Sequence, residues 1–213
     1  MARLAVIGAT GGIGQWVVKH ALAGGHHDVS ALVRDPSKVT EASDRLTLFR
    51  GDVTDSSTLG PWLEGADMVI SCLGTRRFTP PIVAEGTRNV VAAMEQAGLR
   101  RIAMISSVGI GDSKQQGVRT SRVFMYAIVP VLLRKQFWEL KDAEDAVRRD
   151  TIDGIVVRPT GLSNADGTGR WTAMGPDGAP RGGMIPRADV AAFLLTLVDD
   201  RSWDGRSVSL YPG

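Results

Sequence analysis

The 213-residue chain has one cysteine, Cys72, and only two tyrosines. A lone thiol excludes an intramolecular disulfide framework and a cysteine-rich metal centre, and it fits a reducing, cytoplasmic setting. The three histidines include an adjacent pair, His26-His27, read as part of a turn. No His, Asp and Glu cluster has ligand spacing, so no metal is expected. Neither sign of charge prevails, with 25 Lys plus Arg against 23 Asp plus Glu, and the basic residues are scattered; this argues against a nucleic-acid partner. The longest apolar run, Val123 to Leu133, is broken by Pro130 and is about half of the roughly 20 residues a membrane span requires. No charged leader precedes the first apolar run, so no signal peptide is expected.

What is present is an alternation of short β-branched runs and longer amphipathic stretches. Strands are expected at Leu4 to Ile7, Val29 to Val33, Leu46 to Phe49, Met68 to Ser71, Ile102 to Ser106, Ile155 to Val157 and Ser207 to Leu210. Helices are expected at Gln15 to Ala23, Ser57 to Leu63 with Asp55 or Ser56 as cap, Ile82 to Ala97 ending at Gly98, around Arg134 to Arg149, and Ala188 to Val198. Between Pro159 and about Met184 lies a Gly/Pro-rich loop. Six or seven strands, apolar on both faces and joined by helices, require a parallel sheet covered on both sides by right-handed crossovers. The expected class is therefore a doubly wound, Rossmann-like α/β fold. No linker or repeat divides the chain, so residues 1–213 read as a single domain, with substrate-side loops at about 108–139 and 161–186.

Gly8-Ala9-Thr10-Gly11-Gly12-Ile13-Gly14 follows the first strand and opens the first helix, the context in which a glycine pattern signals dinucleotide binding. Gly8 permits the tight turn, Gly11 and Gly12 leave the backbone open to a diphosphate, and Gly14 lets helix meet strand. Free N–H groups up to Ile13 and the helix dipole then face the anion, and the Thr10 hydroxyl can add a donor. At the end of the second strand, where an acidic residue would take the ribose hydroxyls of NAD, this chain has Arg34 and then Lys38. A planar fork and a nearby point charge suit a 2′-phosphate, so NADP (NADPH) is the expected cofactor. The alternative reading is a solvated loop cation paired with Asp35.

The Gly-x-x-Gly-x-x-Gly spacing resembles the extended and atypical branches of the short-chain dehydrogenase/reductase superfamily. Gly51-Asp52-Val53, Leu73-Gly74-Thr75, Ser106-Ser107 and Arg158-Pro159-Thr160 match it in order and place, each at the carboxyl end of a strand. The resemblance implies that Asp52 meets the adenine amino group, Val53 flanks the ring, and Leu73, Gly74 and Thr75 line the ribose path. By the same resemblance, Ser106, Lys141 and Pro159 belong to the cofactor site. Further runs narrow it: Val33-Arg34-Asp35, Leu73-Gly74-Thr75-Arg76, Glu85-Gly86 with Arg88-Asn89, Val91-Ala92-Ala93-Met94, Asp204-Gly205 and Tyr211-Pro212. These resemble the NAD(P)H-binding, NmrA-like group that includes flavin reductase/biliverdin-IXβ reductase. The stretch from Gly109 to Glu139 departs from it, and Thr160 stands where that reductase carries an active-site histidine.

Many members of the superfamily protonate a carbonyl with a Tyr-x-x-x-Lys pair. Here neither tyrosine has a lysine four positions on: Tyr126 is followed by Pro130, Tyr211 lies at the end, and counting back from Lys141 reaches Phe137. The expected activity is accordingly an NADPH-dependent reductase passing hydride to a flavin-like or quinone-like small molecule, with Ser107 as the polar contact to the acceptor. A strand-end serine bonding its own backbone is the plainer reading of Ser107. The alternative function is a non-catalytic NADP(H) sensor acting through a protein partner, with Val123 to Leu133 as its surface; core packing, a lid, a dimer seam and a membrane-surface helix are other readings of that segment. Monomer and homodimer both stay open. Trp171 either stacks on a planar acceptor or pins its loop. Cys72 is expected to pack, and Asp142, Glu144 and Asp145 among Lys141, Arg148 and Arg149 to form a solvated helix face.

Overall fold

The computed structural model describes residues 1–74, 82–111, 134–178 and 181–213, with the side chains of 134–136 outside that description. Thr75 and the Val123 to Leu133 segment therefore lie outside the described residues. The strands are β1 (Ala2–Ile7), β2 (His27–Val33), β3 (Leu46–Arg50), β4 (Met68–Ser71), β5 (Arg101–Ile105), β6 (Asp153–Pro159), β7 (Gly161–Ser163), β8 (Trp171–Met174), β9 (Met184–Pro186) and β10 (Ser207–Pro212). The helices are α1 (Gly14–Ala23), α2 (Leu59–Leu63), α3 (Val83–Gln96), α4 (Arg134–Val147) and α5 (Arg187–Thr196), with short 3₁₀ turns at Pro36–Lys38 and Ser56–Thr58.

Eight strands form one sheet in the order β3-β2-β1-β4-β5-β6-β10-β8, and β7 pairs with β9 in a small second one. All neighbours in the large sheet are parallel except β8, which runs antiparallel to β10 at the edge. The chain is thus a Rossmann-like doubly wound α/β domain. The strand order reverses direction between β1 and β4, and at such a switch point the carboxyl ends open a crevice.

Alternation within each strand sorts the two core layers. On β1, Leu4 and Val6 pack with Val17, Val18 and Ala21 of α1 and with Val190, Ala191 and Leu194 of α5. Ala5 and Ile7 face the other way, among Trp62 of α2, Val90, Val91 and Met94 of α3 and Val147 of α4. Trp62 is fully buried, and its indole donates to the Ser30 carbonyl at 2.9 Å while the Ser30 hydroxyl donates to the Trp62 carbonyl at 3.2 Å. This reciprocal pair satisfies the two polar groups that α2 and β2 bring into an apolar layer.

Three expectations are corrected. His27 is not in a turn but opens β2, since strand pairing extends to Ala2 opposite His27. The Gly/Pro-rich loop contains β7, β8 and β9, and each is too short to show a period. The βαβ alternation also ends before the edge, where antiparallel β8 covers β10. Between the two candidate caps, Asp55 is the one used, its carboxylate accepting from the Ser57 amide at 3.1 Å.

Candidate functional site

The glycine loop joins β1 to α1 at the switch point. Gly8 has φ +74°, and a Cβ there would lie 2.5 Å from the Cys72 carbonyl oxygen at the end of β4. A Cβ on Gly14 would lie 2.1 Å from the Gly8 oxygen, and the Gly11 amide closes the turn on that same oxygen at 2.8 Å. The turn is therefore as tight as backbone allows, and only glycine fits at either end of it. Thr10 and Gly12 are exposed at its crest while Ile13 is buried beneath.

At the carboxyl end of β2, Arg34 is exposed. The Asp35 carboxylate accepts from the Ser37 hydroxyl at 2.7 Å and sits 3.5 Å from Lys38 Nζ. The Ser37 hydroxyl and amide are the main cause of a lowered Asp35 pKa. Lys38, not Arg34, is thus the cation that Asp35 pairs, and the Arg34 fork makes no ion pair with a described residue. After β3, one Asp52 oxygen accepts from the Thr54 amide at 3.0 Å and hydroxyl at 2.8 Å. The Thr54 amide, with a smaller contribution from the Arg34 charge, holds Asp52 below the usual carboxylate range. Val53 is buried, its carbonyl accepts from the Asn89 amide nitrogen at 3.0 Å, and its Cγ2 would lie 2.5 Å from a Cβ on Gly86. Glycine at position 86 thus lets α3 close over the loop that carries Asp52.

At the end of β4, Leu73 packs against the inner layer and Gly74 is exposed. Cys72 is packed against the other layer, and burial pushes its thiol up to about 12, which disfavours a thiolate nucleophile. At the end of β5 the two serines part company. The Ser106 hydroxyl donates to Glu144 Oε1 at 2.6 Å, whereas the Ser107 hydroxyl, among the described residues, reaches the carbonyl of Val108 at 3.2 Å.

Glu144 is the main correction to the sequence reading. It is 1% exposed and receives a two-pronged grip from fully buried Arg158, Nε to Oε1 at 2.9 Å and Nη2 to Oε2 at 2.6 Å. Asp142 and Asp145 are exposed, so two of the three carboxylates lie on the solvated face and the third is locked under the strand ends. A Cβ on Gly111 would lie 2.6 Å from Arg158 Nη2 and 3.0 Å from Glu144 Oε2, so the loop after β5 is laid directly on the pair. Glu144 Oε2 also lies 3.5 Å from Arg148 at i+4, and helical spacing reveals that pair but not the buried arginine 14 residues downstream. The one legible signal is Arg158 inside an apolar strand, which demands a counter-charge.

Lys141 pairs with Asp145 and is about half exposed, and Asp145 raises its pKa. Phe137, four residues before it, contacts the position of a Cβ on Gly109 at 3.9 Å. Pro159 is buried at the end of β6, and its carbonyl accepts from the Val108 amide at 3.3 Å. The next residue, Thr160, has a buried hydroxyl with no partner among the described residues. Trp171 opens β8 and meets Phe193 edge-on at 6.1 Å, the geometry of a ring that pins its strand.

Two features escaped the sequence reading altogether. Asp189 in the first turn of α5 is buried and accepts from the amides of Thr168 and Gly169 at 2.8 and 2.9 Å and from the Thr168 hydroxyl at 2.7 Å. Arg187, at the start of the same helix, lies against Gly12, and its Nη1 donates to Asn164 Oδ1 at 2.5 Å.

The geometry fits a dinucleotide: a glycine cradle in which Gly8 and Gly14 have no room for a Cβ, and, among the described residues, a cation without an ion pair at the end of β2 and a hydroxyl without a partner at the end of β6. Gly8, Thr10, Gly11, Gly12, Ile13, Arg34, Asp52, Leu73, Gly74, Ser107 and Thr160 fall on strand ends or loops along one edge of the sheet, where Gly14 opens α1. Ser106 and Pro159 lie at that edge too, but the first is committed to Glu144 and the second is buried.

Among curated proteins, an uncharacterized chloroplastic protein of Arabidopsis thaliana is 32% identical over 89% of this chain and 69% of its own length. Cinnamoyl-CoA reductase 1 of Oryza sativa is 37% identical over 49% of this chain and 34% of that enzyme, so the chain spans about a third of it. Still smaller shares, 12%, are matched in uncharacterized Mycobacterium proteins at 31% identity. Among solved structures, ChuY, an anaerobilin reductase of Escherichia coli, superposes with TM-score 0.81 at 24% identity over 99% of this chain and 97% of that one. A short-chain dehydrogenase/reductase of Veillonella parvula in complex with NADP gives 0.80 at 15% identity, over 99% and 94%; at these identities the likeness is one of fold. The model of the NAD(P)H-binding family matches residues 8–201, and the chain belongs to that family.

Proposed function

We propose that the protein is an NADPH-dependent reductase that passes hydride to a flavin-like or quinone-like acceptor and works by positioning, without a phenolic acid. The observation that carries this reading is the inward face of α4. There the group aimed at the end of β5 is the Glu144 carboxylate, gripped by Arg158 and by the Ser106 hydroxyl, and Phe137 stands beside Gly109. Neither offers the proton that a simple ketone requires as it accepts hydride. A conjugated acceptor spreads the incoming charge and takes its proton from water, so orientation alone accelerates the transfer.

A bound nicotinamide supplies the hydride. The chain's own residues do the rest: the Gly8 to Gly14 loop and the α1 dipole receive the diphosphate, and Arg34 offers its unpaired fork to the 2′-phosphate. Asp52, whose second oxygen is not used by Thr54, faces the adenine side. Ser107 and Thr160, at the ends of β5 and β6, carry hydroxyls for the nicotinamide or acceptor. The membership of an NAD(P)H-binding family supports the cofactor class, and the Arg34 environment supports the phosphorylated form.

The test is NADPH oxidation followed by absorbance with FMN, riboflavin and quinones as acceptors. Turnover above background with one of these is the expected result. Tight NADPH binding with background rates for every acceptor would displace the reductase in favour of a non-catalytic NADP(H) sensor.

A further inference from the structure

In the pattern Gly8-x-x-Gly11-x-x-Gly14, position 12 is free to carry a side chain. Gly12 is not among the glycines of positive φ, and a Cβ there would strike no backbone. It would strike Arg187, with Nε at 2.8 Å and Cδ at 2.9 Å. Glycine at position 12 is therefore explained by the arginine laid across it. Arg187 reaches that place from the start of α5, which Asp189 ties to the loop at Thr168 and Gly169, and Asn164 fixes one arm of its fork.

The electrostatics of this seat are one-sided. Arg101 and Arg158 each have a carboxylate within 2.7 Å, whereas Arg187 makes no ion pair with a described residue. It adds full positive charge to a loop whose amides and helix dipole are already positive. Such a surface is complementary only to an anion. We propose that Arg187, seated on Gly12 and aimed by Asn164, is a second grip on the diphosphate of the dinucleotide, opposite the loop amides. The inference rests on the NADPH-binding reading and adds a residue from the far end of the chain to that site, so that closing α5 onto α1 completes it.

The experiment is calorimetric titration of NADPH and of 2′-AMP, which keeps the 2′-phosphate and lacks both phosphates of the diphosphate, into wild type, Arg187→Ala and Gly12→Ala. Gly12→Ala keeps the arginine and the start of α5 but denies the seat, so it stands in if Arg187→Ala does not fold. Both variants are expected to bind NADPH at least about tenfold more weakly, as for a lost charged hydrogen bond. Binding of 2′-AMP is expected to stay within about threefold, and the NADPH difference is expected to shrink near about 0.5 M salt. NADPH affinity within about twofold of wild type in both variants, or equal weakening of both ligands, would overturn the inference and leave the cofactor reading standing. A wild type that binds neither NADPH nor NADH would bring down both.

Discussion

The strands β1 to β4 hold their functional loops by glycine and apolar packing, whereas the elements from β5 onward hold theirs by buried charge. Among the described residues the buried charged side chains are Arg101, Glu144, Arg158 and Asp189, and none precedes β5. In the first region the Gly8 turn is fixed by backbone contact with Cys72 and Gly14, and the Asp52 loop by Gly86 closing on Val53. In the second, Arg158 and Glu144 tie β6 to α4 and to Ser106, Asp189 ties α5 to the Thr168 loop, and Arg101 caps the end of α5 through the carbonyls of Leu197 and Val198. A glycine turn tolerates no side chain but has no partner to lose. A buried ion pair can be exchanged as a unit for apolar residues of similar volume but fails when one partner is removed. The first region is thus held by shape and the second by pairing.

The most damaging way to break this contrast is Glu144→Ala, which strands Arg158 without its carboxylate. A loss of about 3–5 kcal/mol is expected in urea unfolding, with much of it recovered in the double variant Glu144→Leu/Arg158→Met. An additive double variant would contradict the pairing account. Gly14→Ala, with a Cβ 2.1 Å from the Gly8 oxygen, is expected to cost about 2–4 kcal/mol and has no rescuing partner in the second region. At the surface, Lys141→Ala removes an exposed i,i+4 pair with Asp145 and is expected to change stability by under about 0.5 kcal/mol, with NADPH affinity unchanged; a large loss of affinity would instead assign Lys141 to the cofactor site.

How far the sequence reveals this molecule follows the same division. The order β1 to β6, α1 and α3, and the C′ glycine Gly98 at φ +69° are legible because apolar period and glycine position act locally. Glu144 was legible only as one of three similar carboxylates, because pairing with Arg158 is decided by tertiary geometry. Strands β7, β8 and β9 are too short for a period, and Arg187 and Asn164 are 23 residues apart and far from Gly12, so nothing local links them. That no tyrosine has a lysine four positions on, by contrast, is a plain count in the sequence.

The weakest expected effect concerns pH. Burial lowers the pKa of both His20 and His27, so the unfolded chain binds protons more readily than the folded one. Their contribution is present above the unfolded value of about 6.5 and is lost as pH falls through the lower folded values. Melting temperature is expected to decline slightly below neutral pH, and His27→Gln to flatten that slope.

The most direct test of the account is calorimetric titration of NADPH and NADH into wild type and Arg34→Ala. NADPH binding at least about tenfold tighter than NADH in wild type, with the preference removed by Arg34→Ala and NADH affinity unchanged, is the predicted result. Equal affinity for the two cofactors in wild type, or a preference that survives the loss of Arg34, would contradict the claim that this edge of the sheet is an NADPH site read by Arg34.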